Sequence, residues 1–251
     1  MNPEMMICIP GPWKDRTEFI QRVVVQTYGE FMFAGGILAN PKGNDHVAAE
    51  FCEPYQDMRR AFEIAGQGKL PADVLSQIAT HKSVVYMRFP LEVLRQRDRL
   101  LKFTSLLRKI GGFAVKIEST GVAHTWEVWL NLIASENPFD QYRGFVVLIA
   151  DENHFYSCGM HNFGLPDCQV SRPLPVGEAA DTMNRFNVFQ IVEKPTLASG
   201  HTFSLTAESP CYRLSLIDDP RHGEDVLFRN PNGLWDMKRV EPSAVTDSAK
   251  R

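Results

Sequence analysis

The sequence predicts an α+β fold: a mixed, largely antiparallel sheet covered by helices, with two βαβ-type units that read as a duplication. Three observations carry this. Apolar residues recur at helical spacing in several stretches, strand-like runs rich in Val, Ile and Phe lie between them, and their order changes along the chain. Up to about residue 119 helices and strands alternate, whereas beyond 143 strands follow one another, the pattern of helices on one face of an antiparallel sheet.

The first strand is Met5-Met-Ile-Cys-Ile9, closed by Pro10, and Phe19, Ile20, Val23 and Val24 then mark a helix face. A second strand is expected at Phe33-Ala-Gly-Gly-Ile-Leu38, its glycines acting as a helix stop. Ser83-Val-Val-Tyr-Met87, Pro90, a helix and Ile110-Gly-Gly-Phe-Ala-Val115 repeat that plan, so residues 5–38 and 83–117 are expected to be similar units with parallel strands. The helix over 91–110 is the best defined. Val93, Gln96, Leu100, Phe103, Leu107 and Ile110 share one face, while Arg95, Arg99, Lys102 and Lys109 form a basic stripe opposite.

A third helix is expected from Thr120, as N-cap, to Ala134, burying Val122, Trp126, Trp129, Leu130 and Ile133 and leaving His124, Glu127 and Asn131 on its other face. Strands follow at 145–150 and 155–160, a helix at 178–191, and strands at 202–205 and 212–217. The turn Asn230-Pro-Asn-Gly233 joins Val226–Arg229 to Leu234-Trp235 as a last hairpin. Residues 1–240 are expected as one compact domain, or two similar halves meeting near 119–143; the polar, aperiodic stretch 241–251 reads as a disordered tail.

With 251 residues, 44% apolar and 23% charged, the chain can bury a full core. Its net charge of −3 argues against a surface built for nucleic acid or an anionic membrane, so neither is an expected partner. No apolar run reaches the roughly 20 residues a spanning helix needs. The first residues lack a basic start and break at Pro10, unlike a signal peptide, and the five widely spaced cysteines suit a reducing compartment; a cytoplasmic protein is expected.

The segment most like a site is Tyr156-Ser-Cys-Gly-Met-His-Asn-Phe-Gly-Leu-Pro-Asp167. It gathers a thiol, an imidazole, an amide and a carboxylate beside glycines that allow the backbone to bend. For an enzyme, the candidate catalytic groups are Cys158, His161 and Asp167, with His124 brought in from its helix. Strand alternation puts Cys158 and His161 on opposite faces, so a thiol–imidazole pair needs a bulge at Gly159. The spacings of Cys158, His161 and Cys168, with His124 or His201, fit no zinc module, so neither metal nor cofactor is expected. Nucleotide-binding glycine loops, serine elbows and His-Glu-x-x-His are absent.

Cys8-Ile-Pro-Gly-Pro-Trp-Lys14, Ala34-Gly-Gly-Ile37, Ile110-Gly-Gly-Phe113, the Ser157 to Asp167 run and Asn230-Pro-Asn-Gly-Leu-Trp235 resemble a group of bacterial proteins related to a domain family of unknown function, over about residues 5 to 238. The resemblance implies no catalytic residue. The expected function is a non-catalytic protein that binds another protein, an immunity factor neutralising a bacterial toxin, with a hydrolase- or transferase-like enzyme using Cys158 to Asp167 as the alternative. Binding residues are then sought beside turns, where large side chains are displayed: Trp13, Phe163 and Trp235, with His161 and Asn162.

Overall fold

In the computed structural model, which describes residues 4–219, 221 and 227–240, the fold is α+β and is built on two sheets. The larger sheet has the order β2-β3-β4-β5-β1-β6-β7, formed by β1 (Glu4–Gly11), β2 (Met32–Ala34), β3 (Ile37–Asn40), β4 (Asp45–Cys52), β5 (Ser83–Pro90), β6 (Val115–Ile117) and β7 (Val122–His124). Every adjacent pair in it is antiparallel.

The central pair explains why these strands read as continuous apolar runs. In β1 the residues Met5, Ile7 and Ile9 lie opposite Phe89, Met87 and Val85 of β5, and all six join the main core. That core is closed by α1 (Arg16–Gln26) and by α4 (Val93–Lys109), through Phe19 and Val23 and through Leu100, Phe103 and Leu107. The alternate residues Cys8 and Val84 point the other way, against Met58 and Phe62 of α2 (Met58–Ala65) and Ile78 of α3 (Ala72–Ala79). A strand covered on both faces has no polar side.

The second sheet has the order β11-β12-β13-β10-β9-β8: β8 (Val147–Ala150), β9 (His154–Cys158), β10 (Asp167–Ser171), β11 (Thr202–Phe203), β12 (Tyr212–Ile217) and β13 (Leu234–Arg239). It is antiparallel except for the pair β10–β13. One face is covered by α7 (Val176–Glu193), whose Ala179, Met183 and Phe186 pack on Val170, Leu214, Trp235 and Met237. Between the sheets run α5 (Trp126–Ala134) and α6 (Pro138–Phe145), and Tyr142, Phe145, Met160 and Ile191 tie the second half into the main core.

Several expectations are corrected. Both strand–helix–strand segments exist, but their crossovers differ. From β5 the chain returns as β6 with only β1 between them, while from β1 it travels to β2, past β5, β4 and β3. They are not repeated units. Gly35 and Gly36, at φ +57° and +81°, form the β2–β3 hairpin turn, which needs two left-handed residues, and stop no helix. Gly111, at φ +102°, does follow the end of α4.

Residues 122–124 pair with β6, so Thr120 caps nothing and α5 starts at Trp126, with the Thr125 hydroxyl accepting from the Val128 N–H at 3.3 Å. Edge-strand pairing outweighed the helical spacing of Val122 with Trp126. The last hairpin also fails: Leu227–Arg229 is not a strand, Val226 lies outside the described residues, and β13 pairs with β10 and β12. The tail expectation for 241–251 lies outside the described residues too. The elements β4, α2, α3, α6 and β10 have no counterpart among the expected ones.

The basic stripe of α4 is bound to its own chain. Arg99 donates to Asp45 Oδ1 at 2.9 Å and Lys102 to Asp45 Oδ2 at 2.7 Å; Arg95 pairs with Glu92, and Lys109 lies over the Tyr28 ring. Among the described residues no helix is long and apolar enough to cross a membrane.

Candidate functional site

Strand β9 ends at Cys158 and the chain turns at Gly159, whose φ of +130° and whose missing Cβ are both required: a methyl there would stand 2.3 Å from the Phe145 carbonyl oxygen. A 3₁₀ turn over Met160–Phe163 follows, with all four residues buried. Asp167, at the start of β10, then closes the segment. Its Oδ1 accepts from Ser157 Oγ at 2.9 Å and from the Met160 N–H at 3.2 Å, while Oδ2 accepts from Asn230 Nδ2 at 2.7 Å. Burial pushes the Asp167 carboxyl up to about 6, against the opposing pull of these donors.

Asn162 is equally committed. Its Nδ2 donates to the Gly159 carbonyl at 3.1 Å, its Oδ1 accepts from Ser119 Oγ at 3.2 Å, and its backbone carbonyl accepts from the Glu92 N–H at 2.8 Å. Cys158 packs with Val122 and Val147, and burial raises its thiol far above the ordinary range. His161 is buried as well. The expected polar site is therefore a knot that joins β9, the 3₁₀ turn, β10 and the Asn230 turn. Buried polar groups must be paired, and here Ser157, Asn162, Asp167 and Asn230 are hydrogen-bonded to side chains or to the backbone.

His124 is on β7, not on a helix beside Glu127, and stacks on Trp129 with centroids 6.1 Å apart. Its Nε2 lies 3.0 Å from the Gly144 carbonyl oxygen, which can only accept, so Nε2 carries the proton. Burial, helped by the charges of Lys69 and Arg143, holds the imidazole below its usual pKa. Among the described residues no three His, Cys, Asp or Glu side chains are grouped to hold a metal ion.

The aromatic anchors expected at the surface are inside. Trp13 is buried against Phe19, its indole N–H donating to the Ile110 carbonyl at 2.9 Å. Trp235 is buried and donates to Gln190 Oε1 at 3.1 Å. Phe163 is buried edge-on against Phe145. Once an indole N–H finds an acceptor, nothing opposes burial of the ring, and proximity to a turn does not keep it outside.

Two concavities lie elsewhere. One, of about 780 Å³, runs between α7 and β11, walled by Val188, Phe189, Val192, Phe203 and Leu205, with Asp181, Arg185 and Glu193 at its rim. The other, of about 460 Å³, lies where the two sheets approach, between the α2–α3 connection, β7, α5, α6 and β8. Phe139 and Asn184 line both, so the two open side by side. Of these wall residues the sequence singled out His124 as a candidate functional group, and Val122 only as part of a buried helix stripe. One legible signal did exist: Val188 and Val192 extend the apolar surface of α7 beyond its core stripe.

The Thr202 backbone adds a polar edge to the larger groove. Leu214 N–H donates to the His201 carbonyl, so the bonded pairs of the β11–β12 ladder are His201 with Leu214 and Phe203 with Tyr212. The non-bonded pair between them, Thr202 with Arg213, leaves the Thr202 N–H and C=O directed away from β12, at the sheet edge. Comparison with protein-family models, curated proteins and solved structures finds no match for this chain.

Proposed function

We propose that this chain is a non-catalytic protein-binding protein, which receives an extended segment of its partner in the groove between α7 and β11, and that the partner is a bacterial toxin it neutralises. The observation that carries the reading is the apolar groove beside an open strand edge. Val192 is 50% exposed and Phe139 39%, an arrangement that leaves apolar surface in water unless something covers it. An added strand would bond to the Thr202 peptide group while alternate side chains enter the groove. Of the groups in the Cys158 to Asp167 segment, Asn162 and Asp167 are buried and bonded internally, which suits a role in holding the fold.

The test is co-expression with a toxin encoded by an adjacent gene. Growth should be rescued and a stable complex recovered. Val192→Glu, which charges the groove wall, and Thr202→Pro, which removes the outward N–H, should each weaken the complex by about tenfold or more. Both positions are exposed, so folding should be unchanged by circular dichroism. Neither rescue nor complex would overturn the reading, and a complex indifferent to both substitutions would move docking away from this groove.

A further inference from the structure

We infer that the smaller cleft, between β7 and β8, is a binding site for a small organic anion with an apolar body. The first support is the charge on its walls. Among the described residues, Lys69 and Arg143 are the charged side chains lining it and no carboxylate does, in a protein whose net charge is −3. Among the described residues Lys69 forms no ion pair, and Arg143 meets Asp140 only at 3.8 Å. Both side chains line the cleft together with His124, so an anion bound there meets positive charge from two elements.

The second support is the orientation of the polar groups. Asn184, which lines the cleft, accepts from the Tyr142 hydroxyl through Oδ1 at 2.8 Å, and that bond leaves its Nδ2 as the donor end. The N-terminus of α5 opens on the same cleft through its cap Thr125, so the positive end of a helix adds to the two side chains. His124 Nδ1, left as an acceptor because Nε2 donates to Gly144, can take a hydroxyl or amine proton of the ligand.

The third support is shape. Leu70, Val122, Val128, Leu132 and Val147 supply apolar walls, and the volume falls within the range of small-molecule clefts, roughly 300–1,000 Å³. An anionic head against Lys69 and Arg143 with a hydrocarbon or aromatic body on these walls would satisfy both kinds of surface. A carboxylate and a phosphate monoester share that chemistry.

Calorimetric titration of the full chain with phenyl phosphate, benzoate, benzyl alcohol and inorganic phosphate tests the inference. One of the two aromatic anions should saturate one site per chain, and whichever is tighter tells a phosphate site from a carboxylate site. Lys69→Gln and Arg143→Gln should each weaken that binding about tenfold. Val128→Trp, at an exposed wall position, should abolish it without lowering the unfolding temperature. The inference is overturned if neither anion saturates by about 10 mM, if benzyl alcohol or inorganic phosphate binds as tightly as the aromatic anions, or if the glutamine variants bind unchanged. Val192→Glu should leave this binding intact, which separates it from the groove at α7.

Discussion

The Asp167 carboxyl is fully buried and accepts three hydrogen bonds, yet burial outweighs them and its pKa rises from 3.8 to about 6. Between those values the folded protein holds a proton that the unfolded chain has lost. Its contribution to stability is therefore complete below 3.8 and falls as pH rises through about 6, by on the order of 3 kcal/mol. Urea unfolding across that interval should show stability declining with pH. In Asp167→Asn that decline should vanish, and because one of the amide's ends must face a donor, the variant should also be less stable in acid by about 1–3 kcal/mol.

At the scale of elements, the start of α5 and the end of β9 make opposite demands on their residues. Thr125 supplies a side-chain cap, so Thr125→Ala should cost about 1 kcal/mol. Gly159 supplies space and a positive φ at once, and Gly159→Ala would drive a methyl into the Phe145 carbonyl. Both mechanisms act together there, and the loss should exceed about 3 kcal/mol. Thermal or denaturant unfolding of the two variants measures the contrast. A Gly159→Ala loss no larger than that of Thr125→Ala would mean that the turn relaxes easily.

At the scale of the whole molecule, the main core reaches from β1 to α7, because Tyr142, Phe145, Met160, Phe163 and Ile191 join it from the second half. Glu92 N–H bonds the Asn162 carbonyl, and Arg97 donates to the Ile133 and Ala134 carbonyls, so the first-half helix α4 is tied to the elements that follow it. The two sheets should therefore unfold as one unit. With Trp13, Trp126 and Trp129 replaced by Phe, fluorescence of the remaining Trp235 reports the second sheet. Its denaturant midpoint should coincide with that of far-ultraviolet circular dichroism, and separate midpoints would show two independent units.

The amphipathic helix α4 was legible because its apolar period and its glycine stop agree over seventeen residues. Helix α7 and strand β12 were legible on the same grounds. The β2–β3 hairpin was misread as a strand continuing through a helix stop, since a glycine pair serves either purpose and only the register of Met32–Ala34 with Ile37–Ala39 decides. Strand β7 was hidden for a related reason. Three residues paired at a sheet edge leave no period of their own, and the helical spacing of Val122 with Trp126 is accidental.

The candidate site shows the same division. That Cys158 to Asp167 is unusual could be read from its polar residues and glycines, but whether a polar cluster faces solvent or closes a core depends on what packs over it. Here Asn230 arrives from far along the chain and completes the Asp167 shell. Trp13, Phe163 and Trp235 were expected outside because turns adjoin them, and acceptors at Ile110 and Gln190 drew the two indoles in. The sequence by itself determined the α+β class, the main helices and the strand-rich second half, because those rest on local periodicity and composition. Strand order, the burial of the polar knot and the meeting of Lys69, His124, Arg143 and Asn184 in one cleft were decided only by the tertiary structure, because each joins residues whose separation along the chain leaves no local pattern to read.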